Sequence, residues 1–159
     1  MNFNHFDASG NAVMVDVSAK QPTMRTAVAE ARVCMAPELM AAIGKGGVAK
    51  GDALGVARLA GIQAAKRTPE LIPLSHPLAI HHVAVDFELD QTSGVVAARC
   101  TVRAFERTGV EMEAMTGATL AALTIYDMCK GADKSITIGE IRLLYKEGGK
   151  SGVYRREEP

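Results

Sequence analysis

The sequence predicts an α+β fold with elements in the order β-α-β-β-α-β. Three observations carry that prediction. Residues 23–35 alternate in the manner of a strand. Residues 52–67 and 108–130 read as helices with start and stop signals. Residues 79–89 and 95–105 read as two strands joined by a short polar turn. The order is that of the split βαβ, or ferredoxin-like, arrangement: an antiparallel sheet with helices packed on one face. That fold hosts many functions, so activity has to be argued from particular residues.

Residues 12–17 (AVMVDV) have the composition of a short first strand. In the next strand Arg25, Ala27, Ala29, Ala31 and Val33 fall on one face, and Val28, Glu30 and Arg32 on the other. Pro37 opens a short helix to Ile43, followed by the glycine- and lysine-rich loop 44–51. Asp52 can cap a helix that Thr68-Pro69 ends. Its small residues, Gly55, Ala57, Ala60, Gly61 and Ala64, permit close backbone approach. The loop 71–77 follows, then the strand pair with its turn at 90–94.

The long helix is predicted to open on a capping box, Thr108 with Glu111, and to end at Gly131 in a left-handed cap. Met112, Met115, Leu120, Leu123 and Tyr126 supply much of an apolar stripe. A last strand spans 135–145, before the glycine loop 148–152.

The 159 residues suggest one domain over 1–159, with flexible ends at about 1–10 and 153–159. Lys+Arg and Asp+Glu are equal at 18, which argues against a protein that coats nucleic acid. Aromatics are 4% with no Trp, too few for a base-stacking sheet, so an RNA-binding module of this fold is disfavoured. Cys34, Cys100 and Cys129 form neither a disulfide framework nor a zinc knuckle, and a reducing cytoplasm is the natural setting. No apolar run is long enough to span a bilayer. His76, His81 and His82 match no helix ligand motif, so no metal site is expected.

Several side chains could carry chemistry. Asp127 stands in the last turn of the long helix, where the macrodipole disfavours an anion, and Lys130 is one turn on. The pair is either a solvated ion pair or a carboxylate tuning a lysine. Lys50 precedes a helix N-terminus, a natural anion site, but a solvated loop lysine fits equally well. Lys66 ends its helix, where a cation is favourable anyway. Pro73 and Pro77 fix the backbone around Ser75 and His76, and so the direction of the imidazole. Glu111 is accounted for by capping; Glu113 is not. Glu113 and Asp127 are 14 residues apart, ~21 Å on one straight helix. If both serve one site, two subunits build it.

Seven stretches, in order along nearly the whole chain, resemble one family. They are MVDVS at 14–18, KGD at 50–52, AGIQAAK at 60–66, LIPLSHP at 71–77, TGVEMEA at 108–114, LTIYDMCK at 123–130 and GGKSG at 148–152. The family is the cyclic pyranopterin monophosphate synthases, the MoaC family of molybdenum cofactor biosynthesis. The resemblance implies a ferredoxin-like subunit in a hexamer, a trimer of dimers with active sites at dimer interfaces. It implies a lyase that converts cyclised dihydro-GTP to cyclic pyranopterin monophosphate and pyrophosphate. No cofactor is required, with room for Mg²⁺ to accompany the phosphates.

Carried over residue by residue, Asp127, Lys50 and Lys130 look catalytic. Leu74, Ser75, His76, Met112 and Glu113 look like substrate contacts, and Lys66, Glu111, Arg25 and Lys146 like further pocket residues. Ser75 departs from the cysteine common in the family. A lysine among other cations has a lowered pKa, so the expected role of Lys130 is proton transfer near neutrality, tuned by Asp127. The alternative is a ferredoxin-like nucleotide-binding regulator without turnover.

Overall fold

A computed structural model describes residues 5–44 and 52–157. Its elements are β1 (Thr23–Cys34), α1 (Pro37–Gly44), α2 (Ala53–Lys66), α3 (Thr68–Leu71), β2 (Ile80–Asp90), β3 (Val95–Glu106), α4 (Glu111–Cys129), β4 (Thr137–Glu147) and β5 (Tyr154–Arg155). The sheet runs β2-β3-β1-β4-β5, antiparallel throughout. This is the ferredoxin-like α+β architecture, extended by one short strand. The sequence reading assigned no strand to Tyr154–Arg155, which pairs with Tyr145 and Lys146.

Alternation in β1 has the predicted consequence. Ala27, Ala29, Ala31 and Val33 are buried in the core under the helices. On the opposite face Glu30 is fully buried by arginines. Its carboxylate accepts from Arg99 Nε at 2.8 Å, Arg32 Nε at 3.1 Å and Arg142 Nη2 at 3.1 Å. Burial pushes its pKa up, and the three guanidinium hydrogen bonds outweigh that, leaving it lowered. Bulges in the β1–β4 pairing bring Arg142 opposite Glu30.

The small residues of α2 and α4 allow a close crossing over the sheet. A Cβ on Gly61 would meet the Gly117 carbonyl at 2.8 Å, and one on Gly117 would meet Cys100 Sγ at 2.5 Å. The buried side of α4 is accordingly Ala114, Ala118, Ala121, Ala122 and Ile125. The expected stripe of large residues is core-facing only in part: Met115 and Tyr126 pack against the core, whereas Met112 is 40% exposed and Leu123 49%. Bulky side chains at the crossing would push the two helices apart.

Three local expectations fail. Residues 12–17 form no strand; Ala12 makes only an isolated bridge to Phe6. Thr108 and Glu111 form no capping box, because α4 starts at Glu111 with Val110 as N-cap, so Thr108 sits too early to reach the first amides. Gly131 is not in the left-handed region, and Lys130 closes the helix with an ordinary right-handed conformation. By contrast Asp52 caps α2 as expected, its Oδ1 accepting from Gly55 N at 2.7 Å. No helix among the described residues is long and apolar enough to cross a membrane.

Candidate active site

A pocket of about 640 Å³ opens where the 71–78 loop meets the start of α4. The two prolines shape the loop, and Ser75 N donates to Ile72 O at 3.0 Å, closing a turn. Leu74, Ser75 and His76 then face the pocket. His76 Nε2 lies 2.7 Å from Val15 O. A carbonyl can only accept, so Nε2 carries the proton, and Nδ1 is the position left for acid–base exchange.

Across the pocket stand Glu111, Met112 and Glu113 from the first turn of α4. Glu111 folds its carboxylate over Gly109, which has no side chain to obstruct it. It pairs with Lys146 of β4 at 2.9 Å, and Lys146 also donates to Ser151 Oγ at 2.9 Å. Arg25 is anchored next to this pair's strand. Its guanidinium donates to the carbonyls of Glu106 (3.1 Å) and Arg107 (3.3 Å). Gly148 and Gly149, both with positive φ, wrap it; a Cβ on Gly149 would clash with its Nη1. The glycine loop singled out in the sequence thus cradles a cation of the protein itself.

Glu113 is 2% exposed, though it lines the pocket. Burial raises its pKa from 4.5 to about 7, with the Glu111 charge adding to the effect. A carboxyl poised near neutrality can give or take a proton at physiological pH.

Asp127 and Lys130 meet at the other end of α4, Oδ1 to Nζ 2.6 Å, and both are largely exposed. The hydrogen bond from Lys130 to Asp127, reinforced by the Asp127 charge, raises the lysine pKa. That corrects the expectation of a lowered value: among the described residues the Asp127 carboxylate dominates the surroundings of Lys130 and favours its charged form.

The structure therefore gathers Leu74, Ser75, His76, Glu111, Met112 and Glu113 around one pocket, with Lys146 tied to it through Glu111. It leaves Asp127 about four helical turns from Glu113, with Lys130 a turn further on. Lys66 is exposed at the end of α2 and does not line the pocket. Lys50 lies outside the described residues. Sequence reasoning missed one wall altogether: His5, Val15, Val17 and Lys20, from the segment before β1. The signal was present, because 14–18 is one of the stretches that carry the resemblance, but it was read as a strand. Among the described residues no three His, Cys, Asp or Glu side chains cluster as a metal site would require. Burial pushes the Cys100 thiol up to about 12, so it packs as an apolar group.

Fold and pocket define a class: a ferredoxin-like α+β protein with a largely apolar pocket, set with a few ionisable side chains, at one end of its helical layer. The MoaC family model matches residues 14–149, and the chain belongs to the MoaC family. Similar proteins are named cyclic pyranopterin monophosphate synthase. That of Pelobacter propionicus is 83% identical over 99% of both chains. That of Geobacter sulfurreducens is 72% identical over the same shares. That of Rhodospirillum rubrum is 57% identical over 94% of this chain and 90% of its own.

Proposed function

We infer that this chain is a lyase of molybdenum cofactor biosynthesis, converting cyclised dihydro-GTP to cyclic pyranopterin monophosphate with release of pyrophosphate. The observation that carries the reading is end-to-end similarity at 83% identity to a synthase of that name. The pocket chemistry supports it. A rearranging pterin needs proton donors and acceptors, and Glu113 and His76 can supply them. A triphosphate needs cations, and Lys146, Arg25 and Lys20 gather at or beside the same pocket. Nothing favours the regulator reading over this one.

The catalytic assignment of Asp127, Lys130 and Lys50 completes the reading through a second subunit. Asp127 lies too far along α4 to serve the pocket of its own chain. It shares an exposed stripe with Met112 and Leu123, and α2 adds Leu59, 70% exposed, and Val56. Exposed apolar side chains on one layer fit burial against another copy. The proposed assembly is a trimer of dimers in which each pocket receives its partner's Asp127 and Lys130. There Lys130 would stand among the pocket's cations, an environment that lowers its pKa. Any magnesium arrives on the substrate phosphates, no resident cofactor is needed, and the setting is cytoplasmic.

The test is anaerobic incubation with cyclised dihydro-GTP, following pterin product and pyrophosphate together, with Lys50→Ala alongside. Equal release of both by wild type, lost in the variant, is the expected outcome. Tight binding without either product would replace the lyase with the regulator.

A further inference from the structure

Strand β2 is tied to β3 unevenly. From His82 to Asp90 the two strands pair residue against residue, but towards the pocket the register shifts between Ile80 and His82. Two side chains take over there. Phe105 N donates to His81 Nδ1 at 3.4 Å, and Ala79 N donates to Glu106 Oε1 at 3.1 Å. The second bond lies just beyond the last pair of the ladder, Ile80 with Ala104. The Glu106 carbonyl is engaged elsewhere, accepting from Arg25 Nε at 3.1 Å.

Glu106 is therefore a junction. Its carboxylate holds the exit of the 71–78 loop, and its backbone holds the Arg25 guanidinium. Arg107 extends the junction: its carbonyl accepts from Arg25 Nη2 at 3.3 Å, and its Nε donates to Lys20 O at 3.0 Å. None of the ion pairs among the described residues uses Glu106, so the Ala79 amide is the partner that places its carboxylate.

The loop exit matters because of what precedes it. Ala79 stands three residues after His76, with Pro77 and Leu78 between. Pro77 fixes its own φ and restricts His76 before it, so little slack separates the imidazole from the Ala79 amide. Two other anchors hold this stretch. His76 Nε2 donates to Val15 O at 2.7 Å, but Val15 belongs to a mostly exposed arm. Leu78 packs against the core, and an apolar contact has no direction. The Glu106 bond alone is both directional and rooted in an interior strand of the sheet.

We propose that Glu106 is a positioning residue of the reaction: through the Ala79 amide its carboxylate fixes the loop exit, and so the direction of the His76 imidazole in the pocket. The proposal rests on the function inferred above. Glu106 does not line the pocket, so it acts on the substrate only through the loop.

The experiment uses the full chain as wild type, Glu106→Gln and Glu106→Ala. It reads turnover of cyclised dihydro-GTP, hydrogen exchange at the Ala79 amide, and the His76 resonance in protein carrying isotope-labelled histidine, assigned from a His76→Gln spectrum. Ala79 should exchange slowly in the wild type and about tenfold faster or more in Glu106→Ala, which loses a charge-assisted bond. The same variant should shift the His76 resonance and lower kcat about tenfold or more, with a smaller change in KM. Glu106→Gln keeps an acceptor oxygen and should restore the resonance and most of kcat. Lost stability alone would lower the melting temperature and leave the His76 resonance of the folded protein in place. Wild-type kcat in Glu106→Ala overturns the proposal, and so does a fallen kcat with an unmoved resonance. Fast exchange of Ala79 in the wild type overturns it without need of any variant. A resonance that moves in Glu106→Ala, from a protein whose wild type releases no product, sustains the positioning of His76 and sinks the lyase reading instead.

Discussion

The two ends of α4 carry the same kinds of side chain in opposite conditions. At the N-terminal end Glu111 is paired across to β4 and Glu113 is buried behind a pocket wall. At the C-terminal end Asp127 and Lys130 pair with each other in the open, one turn apart. The first end is embedded in the fold, and substitutions there should change stability and pH response. The second is attached to the surface, and substitutions there should change activity while the folded chain hardly notices. A carboxylate against the helix dipole, exposed and not lining the pocket at the other end of α4, makes sense where a second chain supplies the rest of the site.

The largest effect should come from the exposed end. Asp127→Asn keeps the shape and removes the charge. If the side chain moves or positions protons, turnover should fall by roughly 10²–10⁴. Wild-type turnover in this variant would return Asp127–Lys130 to an ordinary solvated pair. The sharper form of the test mixes two inactive proteins, Asp127→Asn and Glu113→Gln, by refolding or co-expression. If each pocket takes Glu113 from one chain and Asp127 from the other, half the random dimers are mixed and one site in each is intact. Roughly a quarter of wild-type activity should return, as expected for an isologous two-fold interface. No recovery would place both residues in a same-chain mechanism and break the comparison.

The embedded end should respond to pH. Glu113 has an ordinary value of 4.5 and about 7 when folded. The folded state therefore holds this proton more tightly than the unfolded chain. Its favourable contribution is complete below about pH 4.5 and is lost as pH rises through about 7. The shift corresponds to an effect of about 3 kcal/mol. Glu113→Gln should flatten this part of the stability curve and be the more stable protein at pH 8. Denaturant titrations of both proteins at pH 5 and pH 8 measure it. Parallel losses in the two would show that Glu113 does not titrate as described.

How much of this was legible in the sequence follows the same division. Period and punctuation exposed every long element, because β1 alternates against a core and Asp52 caps α2 locally. What could not be read were outcomes decided by distant partners. Glu111 looked like a capping residue until Lys146, 35 positions away, proved to be its partner. The 12–17 segment has strand composition but found no sheet edge, and became a pocket wall through His76 and Arg107. The apolar stripe of α4 misled at Met112 and Leu123, though Met115 and Tyr126 pack on the core, because periodicity locates a face without saying which neighbour covers it; close approach to α2 demanded alanine and glycine at its centre. Six of the residues named through resemblance, Leu74, Ser75, His76, Glu111, Met112 and Glu113, line one pocket, and the distance between Glu113 and Asp127 followed from helix geometry alone.

The smallest effect discriminates most finely between the two ends, since it concerns two ion pairs of nearly equal length. Glu111–Lys146 spans 2.9 Å with both side chains about three-quarters covered, and it joins α4 to β4 across a long chain separation. Asp127–Lys130 spans 2.6 Å with both side chains about half exposed, and it joins neighbours on one helix turn. Separation along the chain matters because only the first pair constrains tertiary structure; coverage matters because water and salt screen the second. Lys146→Met should therefore cost about 1 kcal/mol, and its effect should change little between low and high salt. Lys130→Met should leave the melting temperature of dilute, dissociated protein at the wild-type value. Thermal melts of both variants at two ionic strengths decide the matter. Equal destabilisation would mean that the exposed pair already belongs to the fold, and that its usefulness to a second subunit has to be sought elsewhere.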